Sequence, residues 1–203
     1  MFDQSLWFAA RGGGIVSLLL STAVVCLGLI TAMRWQGPGW PRFLTVALHR
    51  QVALLSVVFV AVHVVAAVFD PFASLGVLAA VVPLASSYRP IPVALGVISL
   101  YLLIAVIITS LLRDRIGLRL WRTVHWAAYA AWPMAVVHSL YAGSDAFAPW
   151  MIAIVGGCVA AVLVALVMRI LSGGSVRAGL PDVVATPSLP RHRDVRPTNQ
   201  GRR

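Results

Sequence analysis

Charge is scarce in this sequence. Only 11% of its 203 residues are charged, against 60% hydrophobic, where a soluble domain would carry about a quarter charged. That deficit, spread over long uncharged runs, excludes an ordinary soluble domain and defines an integral membrane protein. Acid is scarcer than base, with 6 acidic residues to 16 basic and a net charge of +10. The basic residues sit in short connections and the C-terminal segment, not on a polar face. The positive-inside rule explains that placement, and nucleic acid is not expected as a partner. The two cysteines, Cys26 and Cys158, lie inside apolar runs with no CxxC spacing. Neither a zinc site nor a disulfide framework is indicated, and both read as small buried apolar side chains. The N-terminus lacks a basic n-region, and no small-residue cleavage site follows the first apolar run, which therefore reads as a true span.

Five apolar segments reach the ~20 residues that a bilayer core requires. They run over about Gly14–Met33, Phe43–Phe69, Pro92–Leu112, Leu120–Tyr141 and Pro149–Leu171. Runs this long and unalternating are helices, because only helices or closed barrels satisfy the backbone in lipid. The expected fold class is an all-α integral membrane bundle of five transmembrane helices spanning residues 1–171, with a disordered basic tail over 172–203. Arg34 and Arg42 lie between spans one and two; Arg113, Arg115 and Arg119 lie between three and four; Arg169 and Arg177 mark the end of span five. This bias places the N-terminus outside and the C-terminus in the cytoplasm. The connection Asp70–Ile91 holds a short apolar piece, Leu75–Leu84, expected to lie at the outer interface or to cap the bundle.

Four of the five histidines fall in two spans that run in the same direction. His49 and His63 stand fourteen apart in span two, and His125 and His138 thirteen apart in span four. Fourteen residues return to within about 40° of the starting direction, about 21 Å further along the axis. His49 lies seven residues past Arg42 and His125 six past Arg119, so these two share the inner level, while His63 and His138 share the outer one. Two facing histidines at each of two depths, among almost no other polar atoms, suit bis-histidine haem, with each imidazole giving a lone pair to one axial site. Thirteen residues leave His138 about 140° from the direction of His125 on an ideal helix. Pro133, between them, is the expected site of a kink or rewinding. A histidine that only bridges helices by hydrogen bonds is the competing reading for each position. A proton relay would recruit buried carboxylates, which these two spans lack. His192 belongs to the tail and reads as solvated.

The spacings H-x13-H and H-x12-H resemble the ferric reductase-like transmembrane domain. That family includes ferric reductases, NADPH oxidases and the haem-binding membrane subunit of the bacterial methionine-sulfoxide reductase system. The words "RWQGPGWPRFLTVALHR", "VHVVAAVFDPF", "SLLRDRIGLRLWRTVHWAAYAAWP" and "HSLYAGSD" look like its standalone bacterial members, over about Leu6–Ile170. The resemblance implies that His49, His63, His125 and His138 ligate the iron of two b-type haems. Arg50 and Arg122, beside the inner pair, and Arg89 outside are candidate propionate partners; orientation signal or interface anchor is the plainer reading of each. The larger relatives continue into flavin- and nicotinamide-binding domains, whereas this sequence shows no GxGxxG and no strand–helix alternation.

The sequence therefore reads as an oxidoreductase component of the plasma membrane. It would carry electrons from a cytoplasmic flavoprotein or quinol to an extracytoplasmic acceptor such as ferric iron, oxygen or a redox protein. Flavin would enter only through a partner, and membrane lipid would surround the bundle. The alternative is a non-catalytic scaffold or subunit whose histidines bridge helices. The two readings part in one assay. A pyridine haemochrome measurement should return two haems b per chain, released by acidified acetone because no CxxCH attaches them covalently.

Overall fold

The computed structural model describes residues 2–33, 40–71, 75–145 and 147–178. Among these, all regular structure is helical: α1 (Phe2–Ala32), α2 (Arg42–Phe69), α3 (Gly76–Val81), α4 (Pro90–Leu111), α5 (Arg113–His125), α6 (Ala128–Ala142) and α7 (Pro149–Ala178). Four segments are long and apolar enough to cross a membrane: Gln4–Ala32, Arg42–Phe69, Pro90–Leu111 and Pro149–Ser172. This is a membrane protein by fold as well as by composition. Arg34 lies outside the described residues. So does 179–203, most of the expected tail, while α7 carries helix on to Ala178.

The expected fourth span, Leu120–Tyr141, is not one helix. It divides into α5 and α6 at Trp126–Ala127. Here the amides of Ala127, Tyr129 and Ala130 donate three residues back, to Val124, Trp126 and Ala127, at 2.8, 3.0 and 3.0 Å. Such 3₁₀ winding turns about 120° per residue against 100° in an α-helix. Each tightened residue therefore carries His138 about 20° further round, recovering part of the phase that the thirteen-residue spacing loses. The break is not at Pro133, as the sequence suggested; α6 continues through that residue. At 15 residues α6 spans about 22 Å, short of the ~30 Å hydrocarbon core. α5 has no buried residue and is broken internally at Gly117, whose φ of 78° is readily reached only without a Cβ.

α1 is the hub of the packing. It lies along α2 for most of its length and also meets α6 and α7, while α4 packs on α6 and α5. α3, a six-residue helix in the α2–α4 connection, touches both neighbours. The apolar core sits between α1, α6 and α7, where Leu18, Val136, Met151, Val155 and Cys158 are buried together. Among the described residues, α2 makes no extended contact with α4, α5 or α6. The residues it does bury, Thr45, Ser56 and Ala66, are small. A gap is thus left along the bundle between α2 and the α5–α6 arm.

Polar ties hold the elements in register. Trp132 Nε1 of α6 donates to Thr22 Oγ1 of α1 at 3.0 Å, and Ser99 Oγ of α4 donates to the Ala131 carbonyl of α6 at 2.9 Å. At one end Arg11 pairs with Asp145 at 2.5 Å and donates to Ser144 Oγ at 2.7 Å. Arg89, with a left-handed φ of 42°, donates to the carbonyls of Tyr141 and Gly143 at 2.6 and 2.9 Å. It so caps the carbonyl end of α6. Interhelical hydrogen bonds in membrane proteins contribute roughly 0.6–2 kcal/mol. Thr22→Val keeps the side-chain shape and deletes the acceptor hydroxyl, so it should cost about 1 kcal/mol in a reversible unfolding titration in detergent, with helix content unchanged.

Candidate functional site

The four histidines of α2, α5 and α6 form two facing pairs. The rings of His49 (α2) and His125 (the end of α5) have centroids 6.4 Å apart at 60°. Those of His63 (α2) and His138 (α6) are 6.0 Å apart at 76°. Both pairs face each other across the gap that helix packing leaves open, so each pair joins α2 to the α5–α6 arm.

Three of the four rings are seated in the same way. Each lies over a glycine of the helix behind it and sets its Nδ1 at the carbonyl four residues before that glycine. His49 lies over Gly28 and reaches the Val24 carbonyl at 3.1 Å. His63 lies over Gly14 and reaches the Ala10 carbonyl at 2.6 Å. His138 lies over Gly96 and reaches the Pro92 carbonyl at 2.9 Å. A helical carbonyl already accepts from the amide four residues on, and its second lone pair is free for a side-chain donor that can come close enough. The missing side chain is what permits the approach. A Cβ on Gly96 would stand 2.5 Å from His138 Nδ1, and one on Gly14 would stand 3.0 Å from His63 Nδ1. With Nδ1–H donated to a carbonyl, the tautomer is fixed and the Nε2 lone pair is left for the gap.

His125 departs from this pattern. Its Nδ1 is buried without a hydrogen-bond partner, and its ring is held instead against Trp121, with centroids 4.9 Å apart at 30°. Of the arginines singled out in the sequence, Arg50 and Arg122 are exposed next to His49 and His125, and Arg89 is engaged at the end of α6. The seating glycines and Trp121 were not recognised from the sequence as parts of the site. A signal was present, since Gly14 and Gly28 are fourteen apart, as are His49 and His63. That is what antiparallel packing of α1 on α2 requires of matched positions.

Paired imidazoles on facing helices, three of them oriented from behind, are thus set in a helical membrane protein. The chain belongs to the family of the ferric reductase like transmembrane component, whose model matches residues 13–136, more than half of its length. The matched region includes His49, His63 and His125 and ends two residues short of His138. Comparison with curated proteins and with solved structures found no match.

The family is associated with haem binding, and the residues present fit that group. Two in-line metal–nitrogen bonds of about 2.0 Å, with about 1.1 Å from each ring nitrogen to its centre, would put the centroids of a bis-histidine pair about 6.2 Å apart. The observed separations of 6.4 and 6.0 Å straddle that value. No group of three or more His, Cys, Asp or Glu that could hold a metal ion occurs among the described residues. The donor set is thus two nitrogens per level, which suits a metal already held in the plane by a macrocycle.

The glycine seats make a direct prediction. Gly96→Ala would force the His138 ring off its seat and should destabilise the protein by about 1–3 kcal/mol through overpacking. Gly156→Ala, where a Cβ meets nothing within 4 Å, should not lower the unfolding midpoint in the same titration, since alanine only improves helix propensity there.

Proposed function

We propose that this chain is a dihaem b-type cytochrome that carries electrons across the plasma membrane, from a cytoplasmic flavoprotein or quinol to an acceptor outside. The observation that carries the reading is the pair of facing histidine couples at 6.4 and 6.0 Å, set across a gap with no helix packing to close it. The family supports membrane electron transfer in general. A bound haem would supply a one-electron couple at each level; everything else is the work of the chain.

His49 and His125 would hold one haem, and His63 and His138 the other. The carbonyls of Val24, Ala10 and Pro92 orient three of these rings and raise their basicity as ligands. The apolar walls of α2, α4 and α6 exclude water, which keeps charge from being solvated between the levels. Arg50 and Arg122 would pair with propionates at one level. Arg89, already engaged with two carbonyls, would do so at the other through nitrogens left over. The α5–α6 arm would make the fifth crossing despite its break, because α5 is basic and suits the cytoplasmic interface. That orientation leaves the N-terminus outside and the C-terminus in the cytoplasm. Ferric iron, oxygen and an extracytoplasmic redox protein are the acceptors open to such a carrier.

The test is ligand replacement combined with sided reduction. His63→Ala and His138→Ala should each remove the same haem equivalent, and the double variant should remove no more. NADPH alone should leave the haems of the purified chain oxidised, while dithionite, or a flavin reductase with free flavin, should reduce them. Absence of haem from the wild-type chain would favour the scaffold reading, in which the imidazoles only bridge helices, and full haem content in the histidine variants would overturn the ligand assignment.

A further inference from the structure

Three histidines follow one rule and the fourth breaks it. Gly96 seats His138 and leaves the carbonyl four residues back, on Pro92, open to it. None of the described glycines has His125 among its nearest neighbours, and α4 holds no glycine besides Gly96. Without such a seat the ring is kept from a helical carbonyl behind it, and His125 Nδ1 stays buried without a partner.

What orients the His125 ring instead is a stack. Trp121 lies one turn earlier on the same helix, its ring 4.9 Å from the imidazole at 30°. Trp121 is itself fixed by its bond to Ser110 and by the Arg113 guanidinium, 5.4 Å from its ring. Stacking sets the plane of a ring but accepts no proton from it. The imidazole of His125 is therefore aimed without being made more basic, whereas its three counterparts are both aimed and strengthened.

We infer that His125 is the one exchangeable axial ligand of the chain, with Trp121 as its positioning residue. This rests on the haem reading above. A small neutral ligand for ferrous iron, of the class of carbon monoxide, would enter at the His49/His125 level by replacing His125 Nε2. The other level would stay closed. The exchange breaks one iron–nitrogen bond and forms one bond to the incoming carbon, with no change in oxidation state. Loss of an orienting hydrogen bond behind a histidine ligand changes metal affinity by roughly 10–100-fold, enough to make the two levels behave differently.

The experiment is carbon monoxide titration of the dithionite-reduced protein, followed by the Soret shift. Wild type should form an adduct at one haem of two. Trp121→Leu should raise the affinity for carbon monoxide by roughly tenfold or more, and Trp121→Phe, which can still stack, should restore wild-type behaviour. The same level should remain reactive in His63→Ala, which keeps the His49/His125 pair. Adduct formation at both haems or at neither in wild type would overturn the inference, as would Trp121→Leu without effect. Absence of bound haem in wild type is a different result, since it removes the cytochrome reading itself.

Discussion

An imidazole buried among apolar helices must have its second nitrogen satisfied, and the packing of this bundle follows from the way it is done. The acceptors are helical carbonyls that already serve the backbone ladder, and their spare lone pair lies close to the helix surface. Only a ring that approaches to van der Waals contact can use it. That demands a glycine at the point of approach, and it demands that two helices run antiparallel in a fixed register. Gly14 and Gly28 on α1 meet His63 and His49 on α2, and Gly96 on α4 meets His138 on α6. The closest helix pairs of the bundle, α1 with α2 and α4 with α6, are the ones that carry these seats. Packing and site are one arrangement, and the gap between the two helix pairs is where the imidazoles point.

The broken α5–α6 arm belongs to the same arrangement. His125 and His138 are thirteen residues apart, a spacing that a regular helix cannot bring to one face. Short 3₁₀ bonds around Trp126–Ala127 tighten the winding, and both rings then face α2 at nearly equal separations. Tightening also ends α5 at His125, which leaves this histidine as the last residue of a basic, unburied helix. The ring gains its aim from a neighbour on the same helix rather than from across the bundle. The difference between the two levels thus has a local cause in chain geometry.

Strain and capping gather at the opposite end. Arg89 sits in a left-handed conformation and holds the carbonyl end of α6, while Arg11 anchors the following turn through Asp145 and Ser144. Backbone strain of this kind persists where surrounding contacts over-determine it. Here it fixes the end of α6 close to His138, four residues before Ala142.

By itself the sequence determined the membrane class, the helical content, the family resemblance and the four histidines in two apolar segments. Composition and spacing suffice for these, because lipid admits few backbone solutions and helical phase is set by residue number alone. Depth counted from the flanking arginines also gave the pairing of His49 with His125 and of His63 with His138, which the ring geometry shares. The sequence misled where winding departs from the ideal: it pointed to Pro133 and to one continuous span, whereas the break lies at Trp126–Ala127. Only the tertiary structure decided which glycines are seats, since a glycine in an apolar helix looks the same whether or not a ring lies over it. Only the structure separated His125 from its three counterparts. Whether a buried nitrogen has a partner depends on which residue of another helix stands at its level, and a single span does not carry that information.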